Sequence, residues 1–262
     1  MAYRNLDEYL IRLEQSSELA TITPEVAPDL EIAAITQRVA HLTERRNCAL
    51  WFAQVAGSDF PVVTNLFGTE RRAAWALNVE TLDDLTAKLG TLLDLSLPQS
   101  FSELINRGGL LMSALRSAGV GVARTHNSSF AREVTVAQPD LQRLPFLRMD
   151  QDDTHFWLTR VQVLTVNAGT ATRNLINGRV ARLDATTLGI PRDLLPDSAA
   201  PEAAIVLGSD PAALWCGDVP LPGHLDPYLL AGWLRSKHVP MTPGVTVPFD
   251  VPADAEMVIE GT

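Results

Sequence analysis

Metal centres, phosphate loops and hydrolytic nucleophiles each require particular residues at particular spacings, and the histidines, cysteines and glycines of this chain do not supply them. The five histidines, His41, His126, His155, His224 and His238, show no His-x-x-x-His or Glu-assisted spacing, so each reads as a surface or loop residue rather than a metal ligand. Cys48 and Cys216 stand far apart, with no Cys-x-x-Cys pair. This excludes a zinc ribbon and a disulfide scaffold and fits a reducing compartment. Neither Gly108-Gly109 nor Gly119-Val120-Gly121 is followed by the Lys and Ser or Thr of a phosphate loop, so both read as turns or helix ends. A Gly-x-Ser-x-Gly nucleophile elbow is also lacking. Glu256 and Glu260 alternate along a β-type run and read as solvated charges on one strand face.

Charge narrows the partners. The chain has 262 residues, 21 Lys and Arg against 31 Asp and Glu, and a net charge of −10. Displacing counterions from nucleic-acid phosphates takes many cations, and an anionic membrane surface repels the same excess of acid. Nucleic acid and membrane are therefore excluded as expected partners, whereas a small anionic ligand needs only a few local arginines. The acidic N-terminus lacks the apolar run of a signal peptide, and no stretch reaches the roughly 18 apolar residues of a membrane span. A cytoplasmic protein is expected.

The elements that must position any site fall into two groups. Leu6, Tyr9, Leu10 and Leu13 have helical spacing, with Asn5 as the N-cap and Glu8 completing a capping box. Leu19 to Ile22 reads as a strand, and Pro28-Asp29 opens a helix striped by Ile32, Ile35, Val39 and Leu42. Ala49 to Val55 and Pro61 to Leu66 read as strands, and 82–95 and 101–115 as helices. Beyond 120 strands dominate: Val134 to Ala137, Phe156 to Val166, Ala171 to Leu183, Ala203 to Leu207, Val245 to Val251 and Glu256 to Ile259, with one clear helix at Pro227 to Trp233. The short turn Asn167-Ala168-Gly169-Thr170 predicts that the strands on either side are antiparallel neighbours. The fold class is α+β, an N-terminal α/β domain over 1–120 and a barrel-like second domain over 121–262, with the boundary between 117 and 133.

Several stretches, in chain order, resemble the UbiD family of non-oxidative decarboxylases. They are Arg4-Asn5-Leu6-Asp7-Glu8-Tyr9-Leu10, Pro28-Asp29-Leu30-Glu31-Ile32, Leu144-Pro145, Val206-Leu207-Gly208-Ser209-Asp210-Pro211, Leu229-Leu230-Ala231-Gly232 and the run from Val251 to Gly261. The most specific is Gly57-Ser58-Asp59-Phe60-Pro61-Val62-Val63-Thr64-Asn65-Leu66-Phe67-Gly68-Thr69. The resemblance implies an N-terminal α/β domain and a central split β-barrel resembling flavin-binding barrels. It also implies prenylated FMN with Mg or Mn as cofactors, removing carboxylate from aromatic or unsaturated acids. A covalent adduct with that flavin accepts electrons that direct decarboxylation would leave on an sp² carbon.

The resemblance also assigns residues. Arg173-Asn174, with Arg179 five positions after the Asn, matches the family's Arg-Asn pair and second Arg. Asn174 would then bind the metal, Arg173 and Asn174 the cofactor, and Arg179 the substrate carboxylate. Against a continuous family-like strand stands Asn177-Gly178, a strong hairpin signal that would turn Arg179 away from Asn174. The family's His-Arg-Gly stretch has no counterpart between Arg182 and Gly208, where Ile190-Pro191-Arg192-Asp193 occupies the region. The family's metal-binding Glu falls on Pro227, with Asp226 either a shifted metal ligand or an ordinary N-cap. The family's acid/base Glu pair would fall beyond Thr262, as would its C-terminal domain. The reading is a UbiD-like carboxy-lyase homologue that needs a partner subunit or a second copy to turn over a small carboxylic acid. The alternative is a non-catalytic subunit or small-ligand binding protein on the same fold.

Overall fold

The computed structural model describes residues 3–94, 129–169, 172–196, 199–219 and 226–262. The expected helix over 101–115, both glycine turns at 108–109 and 119–121, His126, His224 and most of the 117–133 boundary lie outside the described residues.

The chain opens with α1 (Leu6–Gln15), β1 (Leu19–Ile22), α2 (Glu31–Ala40), β2 (Ala49–Phe52), β3 (Val62–Thr64), α3 (Glu70–Ala76) and α4 (Leu82–Asp94). Strand β2 is central, parallel to β1 and antiparallel to β3. Its alternation decides the packing. Ala49 faces the cluster made with Leu6, Tyr9, Leu10 and Leu13 of α1, while Leu50 and Phe52 face Ile32 of α2. Helix α1 starts where expected: the Asn5 side chain accepts the Glu8 N–H at 3.1 Å. The Glu8 carboxylate reaches one residue further back than in a capping box, to the Arg4 N–H at 2.7 Å.

The second half contains β4 (Trp157–Asn167), β5 (Arg173–Arg182), β6 (Leu188–Gly189), β7 (Ala199–Leu207), α5 (Pro211–Cys216), α6 (Pro227–Arg235), β8 (Met241–Pro243), β9 (Asp250–Pro252) and β10 (Met257–Gly261). Five strands form a curled, half-barrel antiparallel sheet in the order β10-β7-β4-β5-β6, and β8 and β9 form a separate ribbon. Strands β4 and β5 are antiparallel neighbours, as the turn predicts. Residues 161–165 of β4 are buried on both sides, because the sheet is sandwiched. One face packs Leu164, Leu175 and Ala204 against α5 and α6; the other packs Val163, Val180 and Ile205 against Leu141, Leu144 and Phe146. Among the described residues no helix is long and apolar enough to cross a membrane.

Two expectations are corrected. The run from Val134 to Ala137 is not a strand; Val134 and Val136 are exposed, and among the described residues no partner strand pairs with them. Extended apolar residues make a strand only where a neighbour supplies the ladder. The run from Val245 to Val251 is strand only from Asp250, and its earlier part is a loop held by Glu260. Helices α3 and α5 are short segments that periodicity missed. Thr69 caps α3 by accepting the Arg72 N–H at 3.3 Å, and Asp210 caps α5 through the Ala212 and Ala213 N–H groups at 3.0 and 3.3 Å.

Candidate active site

The residues assigned by resemblance lie on β5 and at the start of α6. Strand β5 runs unbroken through Asn177-Gly178, whose partners on β4 are Gln162 and Val161. The hairpin alternative is therefore overturned, and tertiary packing is the reason. The Asn177 N–H donates to Gly217 O at 3.1 Å, and its side-chain amide donates to Leu214 O at the end of α5. Gly178 lies beneath Leu194, where a Cβ would collide with that side chain. The extra residue sits instead in β4, where the register shifts around Arg160 at φ 56°. Gln162, the cross-strand partner of Asn177, likewise donates to Ala213 O at 2.8 Å. Two strand amides thus satisfy carbonyls that α5 leaves open at its end; the sequence marked Asn177 only as a turn residue and Gln162 not at all.

Alternation along β5 separates the assigned residues. Cross-strand pairing places Arg173, Leu175, Asn177 and Arg179 on the face toward α5 and α6, and Asn174, opposite the buried Thr165, on the other. Arg173 meets Asp226: Nη1 lies 2.6 Å from Asp226 Oδ2, and Nη2 lies 3.7 Å from Asp250 Oδ2. The other Asp226 oxygen, Oδ1, accepts the Tyr228 N–H at 2.9 Å, so Asp226 is the N-cap of α6. Asn174 Nδ2 is buried without a hydrogen-bond partner among the described residues.

Arg179 stands further along β5. Its guanidinium lies 4.2 Å from the Trp157 ring centroid, and Nη1 contacts Asp153 Oδ1 at 3.3 Å. Asp153 is fixed in turn by the Met149 and Asp150 N–H groups at 3.2 and 3.1 Å. Desolvation pulls its carboxyl up, but those amides and the Arg179 charge outweigh it and hold the group below its ordinary value. The Arg179 side chain is 52% exposed, so a ligand in solution can reach it. A preoriented cation on an aromatic face suits a carboxylate. Neither Trp157 nor Asp153 was named from sequence, since neither carries a motif.

Asn174 and Asp226 would need to converge to hold the divalent ion that the resemblance implies. They leave from opposite faces of β5's surroundings, and both Asp226 oxygens are engaged. Among the described residues no group of three His, Cys, Asp or Glu side chains could hold a metal ion. The described residues do not fit that metal.

Of the two late glutamates, Glu256 is exposed, as expected, whereas Glu260 is not freely solvated. Glu260 accepts the N–H groups of Val245, Thr246 and Val247 and the Thr246 hydroxyl, at 2.5–3.1 Å. Glu256 precedes β10 and lies against Gly208, which adopts φ 68°. Desolvation, then the nearby Asp7 charge, pushes the Glu256 carboxyl up from 4.5 to about 7. A raised carboxyl favours the protonated fold. Its contribution is full below 4.5 and is lost as pH rises through about 7. Glu256→Gln should therefore match the wild type near pH 4 and be more stable at pH 8, as read by thermal melts at both pH values. Because the side chain is partly exposed, screening limits the gain to about 1 kcal/mol. Equal melts at pH 8 would refute this.

Solved structures share this architecture. The closed form of the vanillic acid decarboxylase of Sedimentibacter hydroxybenzoicus superposes with a TM-score of 0.78 at 20% identity, covering 100% of this chain and 55% of that one. An evolved dimeric form of the UbiD-class enzyme HmfF from Pelotomaculum thermopropionicum, in complex with prFMN, superposes with a TM-score of 0.74 at 21% identity, covering 99% of this chain and 57% of that one. In sequence, the chain is 30% identical over 271 residues to an uncharacterized protein of Aquifex aeolicus, covering 99% of this chain and 55% of the relative. It is 30% identical over 273 residues to one of Archaeoglobus fulgidus, covering 100% and 55%. The chain thus spans about half the length of the curated relatives it matches. Residues 10–89 match the 3-octaprenyl-4-hydroxybenzoate carboxy-lyase N-terminal domain and residues 122–262 its Rift-related domain. With both halves matched in order on the shared fold, the chain belongs to the UbiD family.

Proposed function

We propose that this chain is a UbiD-type carboxy-lyase homologue. It binds a small carboxylic acid through Arg179 and completes its catalytic site only with groups from a second chain, a partner subunit or another copy. The observation that carries this reading is the separation of Asn174 from Asp226, with Arg179 left open on Trp157. The five-stranded sheet would be the flavin-facing half of a split barrel. By family, the cofactor would be prenylated FMN with Mg or Mn. The described residues do not assemble the metal part of that site, so their contribution is confined to holding the acid. Trp157 supports the Arg179 guanidinium from below and Asp153 holds one edge, which fixes the direction in which a carboxylate is received.

Incubated alone with prenylated FMN and a panel of cinnamic, hydroxybenzoic and heteroaromatic acids, the protein should release no CO₂ above background. Calorimetric titration should show weak acid binding. Arg179→Ala should weaken that binding by about tenfold, the loss of one charge-assisted contact, and leave thermal stability nearly unchanged. CO₂ release by this chain alone, abolished by Arg179→Ala, would overturn the reading. If a partner is found and acid still binds without turnover, the non-catalytic alternative takes its place.

A further inference from the structure

We propose that the Asp226 carboxylate at the start of α6 is committed to Arg173 and closed to a divalent metal, so that this chain fastens α6 to the sheet by an ion pair and without a metal ion. The inference does not depend on whether Arg179 binds an acid. The guanidinium joins three elements: it belongs to β5, pairs with Asp226 at the start of α6 at 2.6 Å, and reaches Asp250 at the start of β9 at 3.7 Å. All three side chains are partly buried, between 22 and 33% exposed. Their attraction is therefore less screened than that of a surface pair.

The same geometry opposes a metal. A magnesium or manganese ion would approach Asp226 Oδ2 to about 2.0–2.2 Å, the position where the Arg173 Nη1 already lies 2.6 Å away. The two positive charges would repel at close range. Moving Arg173 aside would strip both aspartates of their counter-ion. The remaining oxygen of Asp226 is committed to the Tyr228 N–H. Asn174 projects from the opposite face of β5 and adds no oxygen here. Pro227 brings neither a donor nor a carboxylate to the helix start, so Asp226 alone serves both the cap and the tie. A guanidinium stays charged at any physiological pH and needs no supply of metal.

Manganese is the probe, because the electron paramagnetic resonance signal of the free aqua ion falls on binding. Titrated into the wild-type chain, Mn²⁺ should leave that signal as in protein-free buffer, and neither Mn²⁺ nor a chelator should shift Tm. Arg173→Met should lower Tm and free two carboxylates to bind Mn²⁺ about tenfold or more tightly than the wild type, the effect of removing one adjacent like charge. Adding Asp226→Asn to that variant should remove the gain. Two results would overturn the proposal: wild-type Mn²⁺ binding that Asp226→Asn abolishes, or a folded Arg173→Met with wild-type Mn²⁺ affinity. Should Arg173→Met fail to fold, Arg173→Lys retains a cation and should fold, indifferent to Mn²⁺. Tight Mn²⁺ binding by Arg173→Lys would count against the proposal in the same way.

Discussion

Arg72→Met is expected to destabilise the chain by about 3–5 kcal/mol, the cost of breaking a buried ion pair by removing one partner. The Arg72 side chain has no exposed surface. Its Nη1 donates to Glu18 Oε2 at 2.9 Å and to Asn47 O at 2.6 Å, and its Nη2 donates to Asn47 Oδ1 at 2.7 Å and to Asn65 O at 3.2 Å. Methionine keeps much of the volume but removes all four of these bonds, leaving the Glu18 carboxylate, among the described residues, only its pair with Arg71 and Asn47 Oδ1 only the bond from Asn65. Lysine cannot rescue the variant, because one ammonium on a flexible stem does not reproduce a planar fork serving both sides. Thermal or urea unfolding checks this, with a Tm loss of about 10 °C. A variant within about 1 kcal/mol of the wild type would show that the network is dispensable. The same network explains the most family-like stretch of the sequence. Asn65 adopts φ 58° and donates to Asn47 Oδ1 and Cys48 O at 2.8 and 2.7 Å. Gly68 lies so close to Asn65 and Arg72 that any Cβ would collide. That motif makes a turn around a buried cation.

Asp210→Ala should cost a similar amount, about 3–5 kcal/mol. Asp210 is buried, caps α5 with Oδ1, and takes the equally buried Arg235 at 3.0 Å with Oδ2. Arg235 in turn donates to Tyr3 O at 2.5 Å, which ties the chain's beginning to α6. Without Asp210 a guanidinium is left in the core with Tyr3 O as its one acceptor among the described residues, beside a helix without its cap. Asp210→Asn keeps the cap and should lose roughly half as much. Asp226→Ala is the informative control, since Asp226-Pro227 has the same sequence form as Asp210-Pro211. Its pair is partly solvated, so its loss should be nearer 1–2 kcal/mol. Denaturant midpoints of the three variants give the order, and equal losses at Asp210 and Asp226 would refute the assignment of the cost to burial.

Helix α1, the strands flanking the Asn167 turn and the cap at Asp226 were legible in the sequence, because each depends on neighbours a few residues apart: a 3.6-residue stripe, a short connection, an Asp before Pro. Family membership was legible for a related reason. Gly57 through Thr69 is a local run whose residue types are required together, two of them by backbone conformation and close approach.

Tertiary structure decided the rest, most plainly at Asn177-Gly178. The dipeptide has the residues of a two-residue hairpin, yet α5 and Leu194 hold it straight, since Asn177 gains two hydrogen bonds to that helix end and Gly178 gains close packing. The candidate site divides in the same way. Sequence placed Arg173 and Asn174 on one strand, with a spacing to Arg179 that resembles the family, and left open whether Arg179 continued that strand or lay beyond a hairpin. Which face each side chain takes, and which carboxylate reaches it, followed only from pairing with β4 and packing by α6. Asp153 and Asp226 are 26 and 53 residues from the arginines they meet. A charge's partner over such distances is set by how the sheet curls and where the helix docks, because Coulomb attraction acts through space and carries no trace in the spacing of residues along the chain.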